Sequence, residues 1–289
     1  MVGGSSRGDG GDSDRLPFEL PTPHGTLRGV LPLPPRPVRL SEVVVPLLGL
    51  DTALIEQAVR HAAADGEPSR CGPTCGACCR QLVPLSAPEA FALTAAMRDL
   101  PGERRQQLRH RFAAIGATLA RYPDLSRRIL AIDDDETVTA TTALAYFHLA
   151  MACPFLEEES CSIHPARPSI CREYHVSSEP AWCATPEAGQ SEAIAVPLRL
   201  SELLAHAHAY LYHLERPLLV PLSLAPSWTA DHPELDRLAW PAAPLFRDLL
   251  GAMGRAMKDG PARAAATLNE ESPPPSPPPP GSPGSTPAE

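Results

Sequence analysis

Half of the chain's eight cysteines fall within nine residues, Cys71-Gly-Pro-Thr-Cys75-Gly-Ala-Cys78-Cys79, and the other four follow as Cys153, Cys161, Cys171 and Cys183. None lies outside residues 71–183 of a 289-residue chain. Cysteine packs as a small hydrophobe, which accounts for a lone Cys153 but not for four cysteines in nine residues. A disulfide framework needs an oxidising compartment. The N-terminal residues MVGGSSRGDGGDSDR lack the positive start and apolar stretch of a secretory signal. The expected location is therefore cytoplasmic, where grouped cysteines point to metal or redox chemistry. A thioredoxin-like reading of Cys75-Gly-Ala-Cys78 needs a βαβ setting, which the pattern does not offer.

Spacing sharpens this expectation. A Cys-x2-Cys turn brings two thiolates into one coordination sphere because the chain reverses around the ion. Cys75 and Cys78 fit that geometry, Gly76 suits the turn through its tolerance of positive φ, and Cys71 is close enough to add a third thiolate. Arg70 and Arg80 flank the cluster and are expected to stabilise thiolate charge. Adjacent Cys78 and Cys79 leave a turn in different directions, so they are expected to serve two sites, or one site and a separate role. Downstream, Pro154 and Pro165 place Cys153 and Cys161 on loops. Pro168 suits the first turn of a short helix carrying Cys171 and Arg172. The eight thiolates can be divided as two four-cysteine zinc sites or as one or two iron–sulfur clusters. Zinc favours two Cys-x2-Cys pairs and only one clean pair exists. A compact run with remote cysteines is how iron–sulfur clusters are commonly held, so spacing favours iron–sulfur over zinc.

Composition narrows the remaining classes. At 43% hydrophobic the chain has apolar mass for a core. A formal charge of −9 disfavours a broad nucleic-acid-binding surface. No window holds about 18 uncharged apolar residues, so no membrane span is expected. Lys258 is the single lysine beside 24 arginines, and with abundant Ala and Pro this reads as the base bias of a GC-rich bacterium.

The expected fold is mainly α: a single irregular helical domain organised around a cysteine-rich metal site, with few short strands. Residues 1–46 form a polar, then proline-rich extension that should be extended and drape over the domain. Residues 47–260 form the helical domain, with its cysteine region at 70–185. Residues 261–289 form a proline-rich, disordered tail. Such a tail could bind an SH3-like or WW-like partner, although a solvated tail is the plainer reading. Asp51 is placed to cap a helix through Ala62, and Ser86-Ala-Pro-Glu89 reads as a capping box. Leu108, Phe112, Ile115 and Leu119 form an amphipathic stripe. Further helices are expected near 124–131, 201–214 and 245–257, and short strands at 81–85 and 217–223. The stretch 139–151 is apolar without a clear period. Asp133-Asp-Asp-Glu136 could bind a hard cation, but reads better as a solvated acidic turn. His206, His208 and His213 do not share one helix face and are expected at surface or core positions.

Cys153-Pro-Phe-Leu, followed by Cys161-Ser-Ile-His-Pro-Ala-Arg-Pro-Ser-Ile-Cys171-Arg172, couples to the upstream cluster in a recognisable order. Over about residues 70–185 the chain resembles the CxxCxxCC cysteine-cluster family, regarded as zinc- or iron-chelating. Its downstream pattern is CPFL…C-x-I-(Y/H)-x-x-RP-x-x-CR. The departure is one extra residue, Cys71-x3-Cys75. The resemblance implies metal ligation by Cys71, Cys75, Cys78, Cys79, Cys153, Cys161 and Cys171, and Cys183 extends the set on its position alone. Arg167 and Arg172 match the RP and CR positions. They would either offset thiolate charge or form salt bridges with Glu157–Glu159 or Glu173. His164 stands where the family often has tyrosine, so packing or hydrogen bonding is expected of it, and His175 is similar. Three functions follow: a cytosolic metal-binding protein holding zinc or iron–sulfur in a structural or redox role, an S-adenosylmethionine-dependent protein lysine methyltransferase similar to flagellin lysine methylases, or metal storage and delivery. No phosphate-binding glycine loop supports the second. A pocket beside the cysteines would favour an enzyme.

Overall fold

The chain is mainly α, and its few strands act as clasps between distant parts of the sequence. The computed structural model describes residues 14–131, 136–186, 189 and 191–259. The expectations for residues 1–13, for the acidic run at 133–135 and for the tail at 261–289 fall outside that set. Strands β1 (Arg15–Thr22) and β2 (Gly25–Pro32) form an antiparallel hairpin with Leu20 opposite Leu27. Thr22 Oγ1 accepts the His24 N–H at 3.2 Å. Alternation turns Leu16, Leu20 and Leu31 into the core. Pro17 and Pro21 stay exposed, as a two-stranded ribbon allows because both strands are edges. The expected drape is borne out as extended backbone packed on the domain and corrected in being a paired hairpin: its three inward leucines pack with the helices behind them.

Strand β3 (Val38–Arg39) leads directly into α1 (Leu40–Ala64). The expected helix start at Asp51 is also corrected. The Glu42 carboxylate accepts the Arg39 backbone N–H at 2.8 Å, and Val43, Val44, Leu47, Leu50 and Leu54 are all buried. Burying that stripe outweighs the one hydrogen bond lost at Pro46, which lies inside the helix. Asp51 therefore sits mid-helix with no exposed surface.

Strand β4 (Pro84–Ser86) opens α2 (Ala87–Arg98), followed by α3 (Gly102–Leu119), α4 (Pro123–Leu130) and α5 (Glu136–Phe147). The ambiguous stretch after residue 139 is helical as far as Phe147. The capping box forms as the sequence predicts, with the Ser86 N–H and Oγ donating to Glu89 Oε2 at 3.2 and 2.7 Å. Next come β5 (Leu156–Glu157), β6 (Ser160–Cys161), α6 (Ser169–Glu173), α7 (Pro180–Cys183) and α8 (Leu200–Leu211). The chain continues with β7 (Leu219–Pro221), α9 (Ala225–Asp231), β8 (Ala239–Trp240) and α10 (Ala242–Asp259).

Two strand pairings nest. β3 pairs with β8, Val38 opposite Trp240, and encloses every cysteine; inside it β4 pairs with β7, Leu85 opposite Val220. The hairpin leucines, α1, α8 and α10 share one core with Trp240 and Phe246. A second core, Leu85, Phe112, Phe155 and Val220, also packs against Cys153 and Ile163. In it the Phe112 and Phe155 rings meet edge-on at 5.7 Å. A third core gathers Ile115, Leu119, Ile129 and Tyr146 from α3, α4 and α5. Among the described residues no helix is long and apolar enough to cross a membrane.

Candidate metal centre

A 3-10 turn at Ala77–Arg80 carries Cys78 and Cys79. Gly76 precedes it at φ −99°, so positive φ is not its role there, contrary to expectation. Space is the reason instead: a Cβ would lie 2.7 Å from Leu156 Cδ1 and 3.0 Å from the Glu159 carbonyl oxygen. The turn is seated against the β5–β6 hairpin. Three hydrogen bonds then stitch the upstream cysteine segment to the downstream one. The Cys153 N–H donates to the Cys79 carbonyl at 2.7 Å, and the Arg70 N–H to the Val176 carbonyl at 2.8 Å. Gln81 Nε2 donates to the Cys183 carbonyl at 2.8 Å.

Cys171 rides on α6, five residues long and too short to persist alone. Two buried carboxylates hold it. Glu89 Oε1 accepts the Ser169 N–H at 2.8 Å and its hydroxyl at 2.5 Å, joining the N-termini of α2 and α6. Glu173 accepts the Ser201 N–H at 3.0 Å and its hydroxyl at 2.6 Å, joining α6 to the start of α8. Asp51 completes a buried acidic group. Neither of its carboxylate oxygens has a hydrogen-bond partner, and burial, reinforced by Glu173 and Glu89, pushes its pKa far above the carboxylate range. Sequence reasoning missed this device, because 80 residues separate Glu89 from Ser169.

The cysteines surround a cavity of about 170 Å³, lined by Cys75, Cys78, Cys79, Cys153, Cys161 and Cys171 together with His164, Arg167 and Tyr174. Cys71 and Cys183 stand outside this lining. The Val176 N–H points at Cys71 Sγ at 3.4 Å, and the Tyr174 hydroxyl hydrogen-bonds the Cys183 thiol. Both still feel the charge of Cys75 and Cys78. None of the eight cysteines forms a disulfide. Among the described residues no group of three or more His, Cys, Asp or Glu side chains is already set to hold a metal ion. Six of the cysteines share the lining of one space.

Several of the thiols resist ionisation: Cys71, Cys78, Cys153, Cys161, Cys171 and Cys183. Cys78 is raised by its hydrogen bond with Cys79 and then by burial. Burial pushes Cys153 up to about 12 and Cys171 well above the ordinary thiol range. Arg167 acts in the opposite sense on Cys78, Cys161 and Cys171. Thiols packed this closely repel one another once charged, and a metal cation among them reverses that balance because a coordinated thiol is deprotonated. In softness and in deprotonation chemistry the donor set fits zinc or iron.

The arginines divide differently from expectation. Arg80 is bound by Glu159 at 2.7 and 3.1 Å, and Arg70 lies 3.8 Å from Glu179. Both flanking arginines thus have carboxylate partners, and Arg80 also feels the charge of Cys79. Glu157 is held by Arg104 and Arg111 at 2.5 and 2.7 Å, so it is not a partner of Arg167 or Arg172. Arg167 lines the cysteine cavity, with its Nε buried and unpaired. Arg172 faces a neighbouring pocket. His164 lines the cavity, its pKa lowered by burial and then by Arg167. His175 Nδ1 lies 2.9 Å from Ser69 Oγ, a hydrogen-bonding role. His208 is buried, with Nε2 2.9 Å from the Leu235 carbonyl, and belongs to the core.

Residues 70–191, less than half of the chain, match the family model CxxCxxCC, described as "Putative zinc- or iron-chelating domain". Comparison with curated proteins and with solved structures returned no match.

Proposed function

We propose, from the match of residues 70–191 to the CxxCxxCC domain, that the chain holds a thiolate-bound metal centre in the cysteine-lined cavity, with iron–sulfur favoured over zinc. The observation that carries this reading is the convergence of six cysteines from four separate segments on one cavity of about 170 Å³. A single zinc ion needs four donors about 2.3 Å from one point. A compact run of Cys75, Cys78 and Cys79 with remote cysteines beyond it suits a polynuclear cluster better. Cys75, Cys78, Cys79, Cys153, Cys161 and Cys171 form the pool from which ligands come. Cys71 and Cys183, one step back, are placed to join or exchange. Arg167 offsets the negative charge of the ionised sulfurs, and the second core walls the cavity with Phe155, Val83 and Leu222. An iron–sulfur centre held there would supply one-electron transfer. Neither the geometry nor the family match supports methyl transfer from S-adenosylmethionine.

Protein purified without oxygen tests this reading through metal content, acid-labile sulfide and the visible spectrum. Iron with stoichiometric sulfide and a broad visible band is the expected result. Colourless protein with stoichiometric zinc would overturn the iron–sulfur assignment and keep the metal site. Protein that takes up neither metal, even on anaerobic reconstitution, would overturn both. Cys78→Ser is expected to lower bound metal the most, because the charge of Cys78 reaches Cys71, Cys153, Cys161, Cys171 and Cys183.

A further inference from the structure

A second pocket, about 390 Å³, opens on the other side of the wall formed by Phe155, Ile163 and Pro168, three residues that line both spaces. Its sides come from α1, α2 and the turn after α2, chiefly Val44, Leu48, Leu93 and Leu100, and are apolar almost throughout. This size and character are typical of small-molecule sites. At the pocket wall stands Arg172, half-buried. Three of its five N–H groups are committed: Nε to the Arg167 carbonyl at 2.8 Å, Nη1 to Thr52 Oγ1 at 3.0 Å, and Nη2 to the Pro165 carbonyl. One N–H remains on each Nη to donate to an anion.

Among the described residues Arg172 forms no ion pair. Glu89, which also lines the pocket, has both oxygens occupied by Ser86 and Ser169. Burial, then Glu173 and Glu89, push Asp51 towards its neutral form, with Arg172 acting in the opposite sense, and the two form no salt bridge. Burial and then the like charge of Arg167 disfavour the charged guanidinium, with only Asp51 and Cys171 acting in its favour, and an anion bound there offsets that cost. One cation beside acidic groups suits a monoanion and not a phosphate dianion.

We infer that this pocket binds a small monocarboxylate with an apolar chain, the carboxylate on Arg172 and the chain lying between α1 and α2 against the Phe155 wall. The proposal concerns a site separate from the cysteine cavity and does not depend on which metal that cavity holds.

The full-length protein, as purified with its metal, is titrated calorimetrically with octanoate, octan-1-ol and acetate. Octanoate is expected to bind at one site, the alcohol at least about tenfold more weakly, and acetate without detectable heat. Arg172→Gln should weaken octanoate by at least about tenfold and bring it close to the alcohol. Arg172 also braces the 165–167 loop, so a second variant avoids it. Gly49 lines the pocket, and a Cβ at this position meets no atom within 4 Å. Gly49→Leu should fill the pocket, favour the helix and abolish octanoate binding while metal content stays at the wild-type level. No octanoate binding to the wild type, equal binding of alcohol and carboxylate, or undiminished binding to Gly49→Leu would each overturn the proposal.

Discussion

Asp51 shows how a single side chain can be placed by its neighbours against its own preference. It is fully buried with both oxygens unpaired, near Glu89 and Glu173, and keeps its proton in the folded state. In the unfolded chain an aspartate ionises above about pH 4. Between about pH 4 and neutrality the folded protein therefore binds more protons than the unfolded one. Stability must fall as pH rises, with a slope of up to about 1.4 kcal/mol per unit from this group. Asp51→Asn removes the titration. Urea unfolding across this pH range should show the variant gaining on the wild type at each step upward. Parallel curves would mean that Asp51 ionises normally. The sequence offered Asp51 only as a helix cap, because nothing local reveals that the apolar stripe continues upstream through Pro46.

At the scale of elements, the cysteine turn and the hairpin it rests on carry opposite kinds of constraint. Gly76 is needed for room. Gly76→Ala would drive a methyl against Leu156 and the Glu159 backbone, at a cost of about 1–3 kcal/mol. A lower urea midpoint together with reduced bound metal would register it. The hairpin turn holds Glu158 and Glu159 at φ +48° and +57°, a conformation that costs a non-glycine residue about 1–2 kcal/mol. Glu159 is retained by its pairing with Arg80, whereas Glu158 is exposed. Glu158→Gly should raise thermal stability by about 1 kcal/mol, and a destabilised variant would show that Glu158 has a role the geometry does not display. The capping box at Ser86, the stripe along α3 and the short helix after Pro168 were legible because each depends on residues within a turn or two. The clamp from Glu89 to Ser169 was not, because it joins helix ends remote in sequence.

For the molecule as a whole, the family match ends at residue 191, but the packing does not. β4 finds its partner in β7, and Leu85 and Ala90 share their core with Val220, Leu222 and Ala225. α6 is anchored on α8, and α2 packs beside α1 and α9. Each large apolar side chain stripped of its cover loses about 1.5–3 kcal/mol, against a total stability of about 5–15 kcal/mol. A fragment of residues 70–191 is therefore expected to be unfolded and to hold no metal on anaerobic reconstitution, while residues 14–259 together fold and hold it. Circular dichroism and metal content of the two fragments decide the matter. A folded, metal-loaded short fragment would show that the cysteine region is self-sufficient.

The sequence by itself determined which chemistry is available: eight thiols, four in one nine-residue run and four spaced out downstream, a helical chain to carry them, and no long apolar segment in the described helices. Those are properties of residue type and local spacing, and they survive without knowledge of contacts. The tertiary structure decided which thiols face a common space, leaving Cys71 and Cys183 one step behind the other six. It also decided where each arginine lies: Arg80 pairs with Glu159, Arg167 lines the cavity, and Arg172 lines the pocket behind Phe155. Such assignments depend on the direction of each side chain after packing. Local spacing brings a side chain near a site, but long-range pairing determines which way it points.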